Sequence, residues 1–121
     1  MKRISLLIAL VVSAGPAAAQ NPVAYSAESI DRGSQIYKLH CTACHGADGR
    51  AQMDVISDAT DLTDPEAYYN GASEQDMFIS IRDGAGVGMP PWKMQLKDEA
   101  DMWRLVNFIR SLWTQEQRDN F

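Results

Sequence analysis

Cys41-Thr42-Ala43-Cys44-His45 is the most informative stretch of this 121-residue sequence. At a helix end, residues three positions apart face the same way, so both thiols would reach the same neighbourhood. Each thiol can add to one of the vinyl groups on a porphyrin edge, and the adjacent histidine can then bind the iron. C-x-x-C-H is the attachment pattern of haem c. The stretch therefore predicts one covalently bound haem c, with Cys41 and Cys44 as attachment points and His45 as proximal iron ligand.

Other functions of the cysteine pair fit less well. A thioredoxin-like redox pair follows a strand in an α/β pattern, and no such strand precedes Cys41. A structural zinc site surrounds its ion, whereas the candidate ligands here lie within six consecutive residues, from His40 to His45. A plain disulfide would leave His45 without a role. The glycine-rich stretch from Gly84 to Gly88 follows a predicted helix and lacks the full dinucleotide-binding pattern.

Residues 1–19 have the features of a cleaved export signal. Two basic residues precede an apolar run from Ile4 to Val12, and the small residues Ala17-Ala18-Ala19 follow. We expect cleavage after Ala19, which leaves residues 20–121 as one small domain. The apolar run is shorter than the roughly 20 residues of a membrane-spanning helix. We therefore expect a soluble periplasmic protein with no stable membrane insertion after cleavage.

The composition is acidic. Eleven Lys and Arg residues face 16 Asp and Glu residues, for a net charge of −5, and loss of Lys2 and Arg3 with the signal would make the chain more negative still. Nucleic-acid binding relies on clustered cations, so we exclude nucleic acid as a partner. An acidic carrier is instead steered toward redox partner proteins with a basic docking face. We expect the protein to act as a monomer.

Periodicity and capping residues predict an all-α fold of about four helices, since no alternating strand pattern is present. The predicted helices start at Ser26, Asp64, Ser73 and Asp98. The second is short and stops near Gly71, while the last carries the clearest apolar face. Two long loops, residues 46–63 and 84–96, separate the helices. Four such helices enclose little apolar area, so a flat apolar cofactor would complete the core around which the loops wrap.

The second axial ligand of the iron must come from elsewhere in the chain. His40 is too close to His45 to reach the opposite face of the ring, and we expect it to be an exposed helix residue. Met77 and Met102 fall on predicted helix faces, where methionine is most simply a core residue. The loop methionines are the candidates, namely Met53, Met89 and Met94. Met89 is the best placed, because the glycines before it let the loop approach the haem and the two prolines after it stiffen the loop.

On these residues the chain resembles the class I monohaem c-type cytochromes that bacteria export, over nearly all of residues 20–121. The C-x-x-C-H stretch, then Met89 before a proline, then a C-terminal aromatic helix follow in the family's order. The resemblance implies the class I cytochrome c fold and Met89 as distal iron ligand. It also implies that the first and last helices cross at Gly33, packed by Tyr37 and Phe108.

The chain departs from the family pattern at one point. In many relatives a proline after the attachment motif offers its carbonyl to the histidine ring and so fixes the tautomer. Here no proline lies between His45 and Pro65. The hydrogen-bond acceptor of the His45 ring is therefore not assigned by the sequence.

Ligation by histidine and methionine leaves no open iron position for a substrate and suits electron transfer. We therefore expect an electron carrier rather than an enzyme, which takes electrons from a periplasmic dehydrogenase or a bc-type complex and passes them to a terminal acceptor. Two other functions stay open. The protein could be a haem enzyme or small-ligand sensor with an open sixth position, or a fixed electron-transfer subunit of a larger oxidoreductase.

Overall fold

The computed structural model describes residues 20–52 and 58–121. In these two ranges the chain forms five α-helices and one 3₁₀ helix, and its only β feature is an isolated bridge between Ala85 and Met89. The predicted all-α class is thus confirmed. The elements are α1 (Ala27–His40), α2 (Thr42–His45), the 3₁₀ helix (Pro65–Ala67), α3 (Glu74–Asp83), α4 (Glu99–Ser111) and α5 (Gln115–Asn120). The predicted export signal and Met53 lie outside the described residues.

The helices start where the capping residues predict. Side-chain oxygens accept hydrogen bonds from backbone amides of the first turn at Ser26, Asp64, Ser73 and Asp98. At the start of α3 the Ser73 hydroxyl accepts from the Asp76 amide (3.1 Å) and donates to the Asp76 carboxylate (2.6 Å). Across the two described ranges, no helix is long and apolar enough to cross a membrane.

The structure differs from the predicted helices in three places. The short second helix is a single 3₁₀ turn that ends at Ala67, because the next residue, Tyr68, is extended. Helix α2 is separate from α1, since the chain leaves α1 at Cys41 before one further turn forms. Helix α5 was not predicted, although Thr114 and Gln117 form a reciprocal capping box, a pattern visible in the sequence.

Helices α1 and α4 cross in direct backbone contact at Gly33. A Cβ atom at this position would overlap the carbonyl oxygen of Arg104 and would lie 2.8 Å from Cβ of Phe108. The rings of Tyr37 and Phe108 pack beside the contact, with centroids 5.0 Å apart. The predicted crossing is therefore confirmed, and the missing side chain of glycine is what lets the two helices approach so closely.

A buried asparagine on α4 holds the segment that leads into α1. Asn107 is fully buried, and its Nδ2 donates to the carbonyls of Val23 (3.2 Å) and Ala24 (3.0 Å) and to Oγ of Ser29 (3.1 Å). Its Oδ1 accepts a hydrogen bond from Nδ2 of Asn21 (2.8 Å). The N-terminal segment is thus fixed to α4 by polar contacts inside the core.

Replacing Asn107 with alanine is expected to lower the free energy of unfolding by about 2–4 kcal/mol. The change leaves buried acceptors without a donor and opens a cavity, and both effects destabilise. Chemical denaturation measures the loss. The exposed Asn120 provides the control, since N120A should change the free energy by less than about 0.5 kcal/mol. Equal effects of the two substitutions would contradict the role given to Asn107.

Candidate haem site

The predicted attachment residues lie where α1 ends and α2 begins. Cys41 is the residue between the two helices, and Cys44 and His45 belong to the single turn of α2. Backbone hydrogen bonds fix this turn, since the His45 amide donates to the Cys41 carbonyl (2.9 Å) and the His45 carbonyl accepts from Ala51 (2.9 Å). The buried hydroxyl of Tyr37 donates to the carbonyl of Gly46 at 2.6 Å. Hydrogen bonds therefore fix the backbone both within the motif and directly after it.

The structure identifies the acceptor for the His45 ring that the sequence left unassigned. Nδ1 of His45 lies 2.9 Å from the carbonyl oxygen of Thr60. If Nδ1 donates this bond, Nε2 is left as the unprotonated nitrogen for a metal. Burial lowers the pKa of His45, although the bond to Thr60 partly opposes the shift. The lowered pKa favours the neutral imidazole, which is the form that binds iron.

The Cys41 thiol does not have the property expected of a reactive redox cysteine. Burial, assisted by the nearby Cys44, raises the pKa of the Cys41 thiol to about 12. Catalytic cysteines of dithiol oxidoreductases instead have lowered pKa values, because the thiolate is the reactive form. The two thiols are unpaired in the structure, and no group of three or more His, Cys, Asp or Glu side chains in the described part of the chain could hold a metal ion.

Two adjoining cavities meet at the motif. The inner cavity, of about 80 Å³, penetrates the core as far as Leu105 on α4. The outer crevice, of about 560 Å³, is lined in part by His40 and Cys44, and this volume lies within the range of about 300–1,000 Å³ common for cofactor sites. The side chains shared by both include Cys41, His45, Thr60, Tyr69, Met89 and Trp92. Cavity and motif together form one largely apolar site.

The loop from Gly84 to Leu96 brings Met89 to this site. Gly84 has φ +87°, and a Cβ atom there would lie 2.8 Å from the Met89 carbonyl oxygen, so the turn requires glycine. Ala85 and Met89 exchange two backbone hydrogen bonds of 3.1 and 3.2 Å, which close the loop. The Trp92 amide donates to the Ile81 carbonyl (2.9 Å) and ties the end of the loop to α3. Met89 is thereby held in the cavity wall.

The other methionines are placed differently. Met94 is 71% exposed and lines neither of these two cavities. Met77 and Met102 are buried in the core as expected, and Met77 also lines the inner cavity. Of the loop methionines, Met89 is thus the one that the described structure brings to the same cavity as His45.

His40 differs from its expected place as an exposed helix residue. Its ring is half-buried and lies 5.3 Å from the ring of Trp92, at the wall of the outer crevice. The contact joins the end of α1 to the Met89 loop. Periodicity could not find it, because the partner belongs to a loop far along the chain.

The donor set fits a haem c. Two cysteines stand one helical turn apart, a neutral histidine follows them, and an apolar crevice of suitable size opens beside all three. Cys41, Cys44 and His45 are therefore the residues that would hold the group. An all-α fold with such a site is typical of proteins that carry haem c.

The sequence and the fold of this chain are similar to those of known proteins with haem c. The family model for cytochrome c matches residues 30–113. A chain of the Kuenenia stuttgartiensis reducing HAO-like protein complex Kustc0457/Kustc0458 is 26% identical with a TM-score of 0.67, and the match covers 77% of the present chain and 47% of that chain. The KustC0563 c-type cytochrome is 27% identical with a TM-score of 0.58, over 68% of the present chain and 98% of its own. Cytochrome cL from Hyphomicrobium denitrificans is 25% identical with a TM-score of 0.58, over 80% and 62% of the two chains.

The chain belongs to the cytochrome c family. It is a c-type cytochrome, a class that carries covalently bound haem c and transfers electrons. The present chain spans about half of the length of the Kuenenia complex chain that it matches. No curated protein matches the sequence significantly.

Proposed function

We propose that this protein is an exported electron carrier with one haem c, bound through Cys41 and Cys44 and ligated by His45 and Met89. The observation that carries the proposal is that Cys41, His45 and Met89, from two separate parts of the chain, line one cavity. A carrier needs both axial positions occupied through the redox change, and these two side chains supply the nitrogen and the thioether sulfur that such a centre uses.

The residues around the site have simple tasks in this function. When bound, the haem supplies one-electron exchange between ferrous and ferric iron. The Thr60 carbonyl orients the His45 ring and fixes its tautomer. The closed Gly84–Leu96 loop holds Met89 in place. Apolar lining such as Leu62 and Ile81 keeps water away from the metal.

The proposed pathway is periplasmic. The carrier takes electrons from a dehydrogenase or a bc-type complex and delivers them to a terminal acceptor, and it docks briefly as a monomer. The net charge of −5 supports partners with a basic docking face, because opposite charges speed the encounter of two proteins. The likeness to cytochrome cL of Hyphomicrobium denitrificans supports electron transfer by a c-type cytochrome.

Purified mature protein tests the function. We expect its mass to equal that of residues 20–121 plus one haem, and we expect its ferrous form to bind carbon monoxide only slowly, because Met89 occupies the sixth position. Rapid binding of carbon monoxide, together with turnover of peroxide, would instead indicate a haem enzyme or sensor. Electron exchange with the physiological partner should slow as salt is added, since salt screens the attraction between the proteins.

One observation favours a second candidate, a fixed subunit of a larger oxidoreductase. The matched Kuenenia chain belongs to a protein complex. Size-exclusion chromatography of the protein from its native source separates the two functions. A free carrier elutes at the mass of one small domain, whereas a subunit elutes with its partners even at high salt.

A further inference from the structure

Residues 60–62, which we call the acceptor segment, lie beside the candidate iron ligand. The Thr60 carbonyl oxygen of this segment is 2.9 Å from Nδ1 of His45. Thr60 has no ring to restrict its backbone, in contrast to a proline at such a place. Contacts of the neighbouring residues in the acceptor segment can instead restrict the position of this carbonyl.

Two side chains converge on that segment. The hydroxyl of Tyr68 and the indole Nε1 of Trp113 each donate a hydrogen bond of 2.8 Å to the carbonyl oxygen of Leu62. The amide of Leu62 in turn donates to the Gly49 carbonyl at 2.7 Å, which ties the segment to the turn that follows α2. The peptide groups on both sides of Leu62 are thus held, two residues from the carbonyl that faces His45.

Trp113 is buried and Tyr68 is partly buried. Trp113 is only 3% exposed, and its ring packs edge to face against Tyr68 with centroids 5.9 Å apart. Burial raises the pKa of Tyr68 above its ordinary value, so the hydroxyl keeps its proton and remains a donor at any physiological pH. The two donors come from different regions, the end of the 3₁₀ helix and the end of α4, so they fix the acceptor segment from two elements.

We propose that Tyr68 and Trp113 are positioning residues for His45, which hold the Thr60 carbonyl at hydrogen-bonding distance through Leu62 and thereby set the reduction potential. The inference rests on the proposed function, because it requires His45 to be the proximal ligand. A hydrogen bond from Nδ1 makes the imidazole more basic, and a more basic ligand favours ferric iron. The intact contact therefore lowers the potential, and a loosened contact raises it.

Trp113 separates an effect through His45 from a direct effect on the haem. Tyr68 itself lines the inner cavity, so its hydroxyl could also contact the bound group. Trp113 is absent from the described linings of both cavities. Trp113 can therefore act on the iron only indirectly, through the Leu62 carbonyl to which it donates or through Tyr68, against which its ring packs.

The experiment compares the holoproteins of Y68F and W113F with the wild type. In both variants we expect a higher reduction potential and an unchanged histidine–methionine spectrum. By NMR of the ferrous form we also expect solvent exchange of the His45 Nδ1–H to be about tenfold faster, as for the loss of roughly one hydrogen bond. Two variants serve as controls. Y25F removes a hydroxyl from a half-exposed tyrosine, and W103F makes the same indole-to-phenyl change at a buried residue that stacks on Phe78.

The controls define what would overturn the proposal. W103F should lower stability but should leave the reduction potential and the exchange rate of the His45 Nδ1–H unchanged. Y25F should change neither stability nor potential nor exchange rate. If Y68F and W113F behave like W103F, their role is structural only and the inference is wrong. If W113F does not fold, an unchanged exchange rate of the His45 Nδ1–H in Y68F would by itself show that the inference is wrong. A wild-type protein without a histidine–methionine spectrum would refute the proposed function itself, which is a different result.

Discussion

Replacing Met89 with alanine is expected to leave the haem attached but to abolish the methionine–iron absorption and lower the reduction potential. Thioether ligation favours ferrous iron, and the cysteines that attach the group are untouched by the change. We expect a fall of roughly 0.1–0.2 V, a modest part of the about 0.8 V range that axial ligands set. Visible absorption spectroscopy and redox titration of the purified variant measure both effects.

Met94 supplies the matched control for this experiment. It lies in the same loop, is 71% exposed, and is not part of the described cavity walls. M94A should therefore keep the absorption band and the wild-type potential. If M94A lost the band while M89A kept it, Met94 would be the ligand. If both variants kept it, attention would turn to Met53, which lies outside the described residues.

Replacing Gly33 with alanine is expected to destabilise the protein by at least about 2 kcal/mol. Helix propensity alone favours alanine over glycine by about 1 kcal/mol. The added Cβ, however, would overlap the Arg104 carbonyl oxygen on α4, and backbone on both sides leaves no flexible side chain to move away. Separating the helices also weakens the packing of Tyr37 on Phe108, so the cost of overpacking exceeds the gain in propensity.

Thermal and chemical denaturation of the holoprotein measure this loss. For a domain of this size, 2 kcal/mol corresponds to a fall in melting temperature of roughly 10 °C. Gln35, exposed on the same helix, provides the control, and Q35A should change stability by less than about 0.5 kcal/mol. A G33A protein as stable as the wild type would mean that the two helices are not in backbone contact.

Local chemistry made much of the fold predictable. The capping side chains of Ser26, Ser73 and Asp98 each accept a hydrogen bond from an amide two or three residues later. Because the partner is so near in sequence, the start of each helix can be predicted from a few neighbouring residues. The spacing of Cys41 and Cys44 is equally local, so the attachment pattern could also be predicted from neighbouring residues. Gly33 was predictable for a different reason, because a resemblance to a family supplied the long-range contact that no local pattern encodes.

The site was predictable only in part. The sequence shows that glycines precede Met89 and that two prolines follow it, which is enough to predict a loop that can approach a haem. The contact of His40 with Trp92 and the shared cavity of His45 and Met89 depend on how distant segments pack. Patterns in a single sequence do not predict the distance between segments that lie far apart in the chain.

The sequence by itself determined the helical class, the acidic charge and the residues that we propose for haem attachment, because side-chain type and short spacing suffice for each. Only the tertiary structure decided which carbonyl meets the His45 ring and which donors hold it, namely Thr60 for the first and Tyr68 and Trp113 for the second. The physical reason is that every residue carries a backbone carbonyl of nearly the same chemistry. Which one becomes the acceptor depends on the path of the folded chain, and residue identity does not record that path.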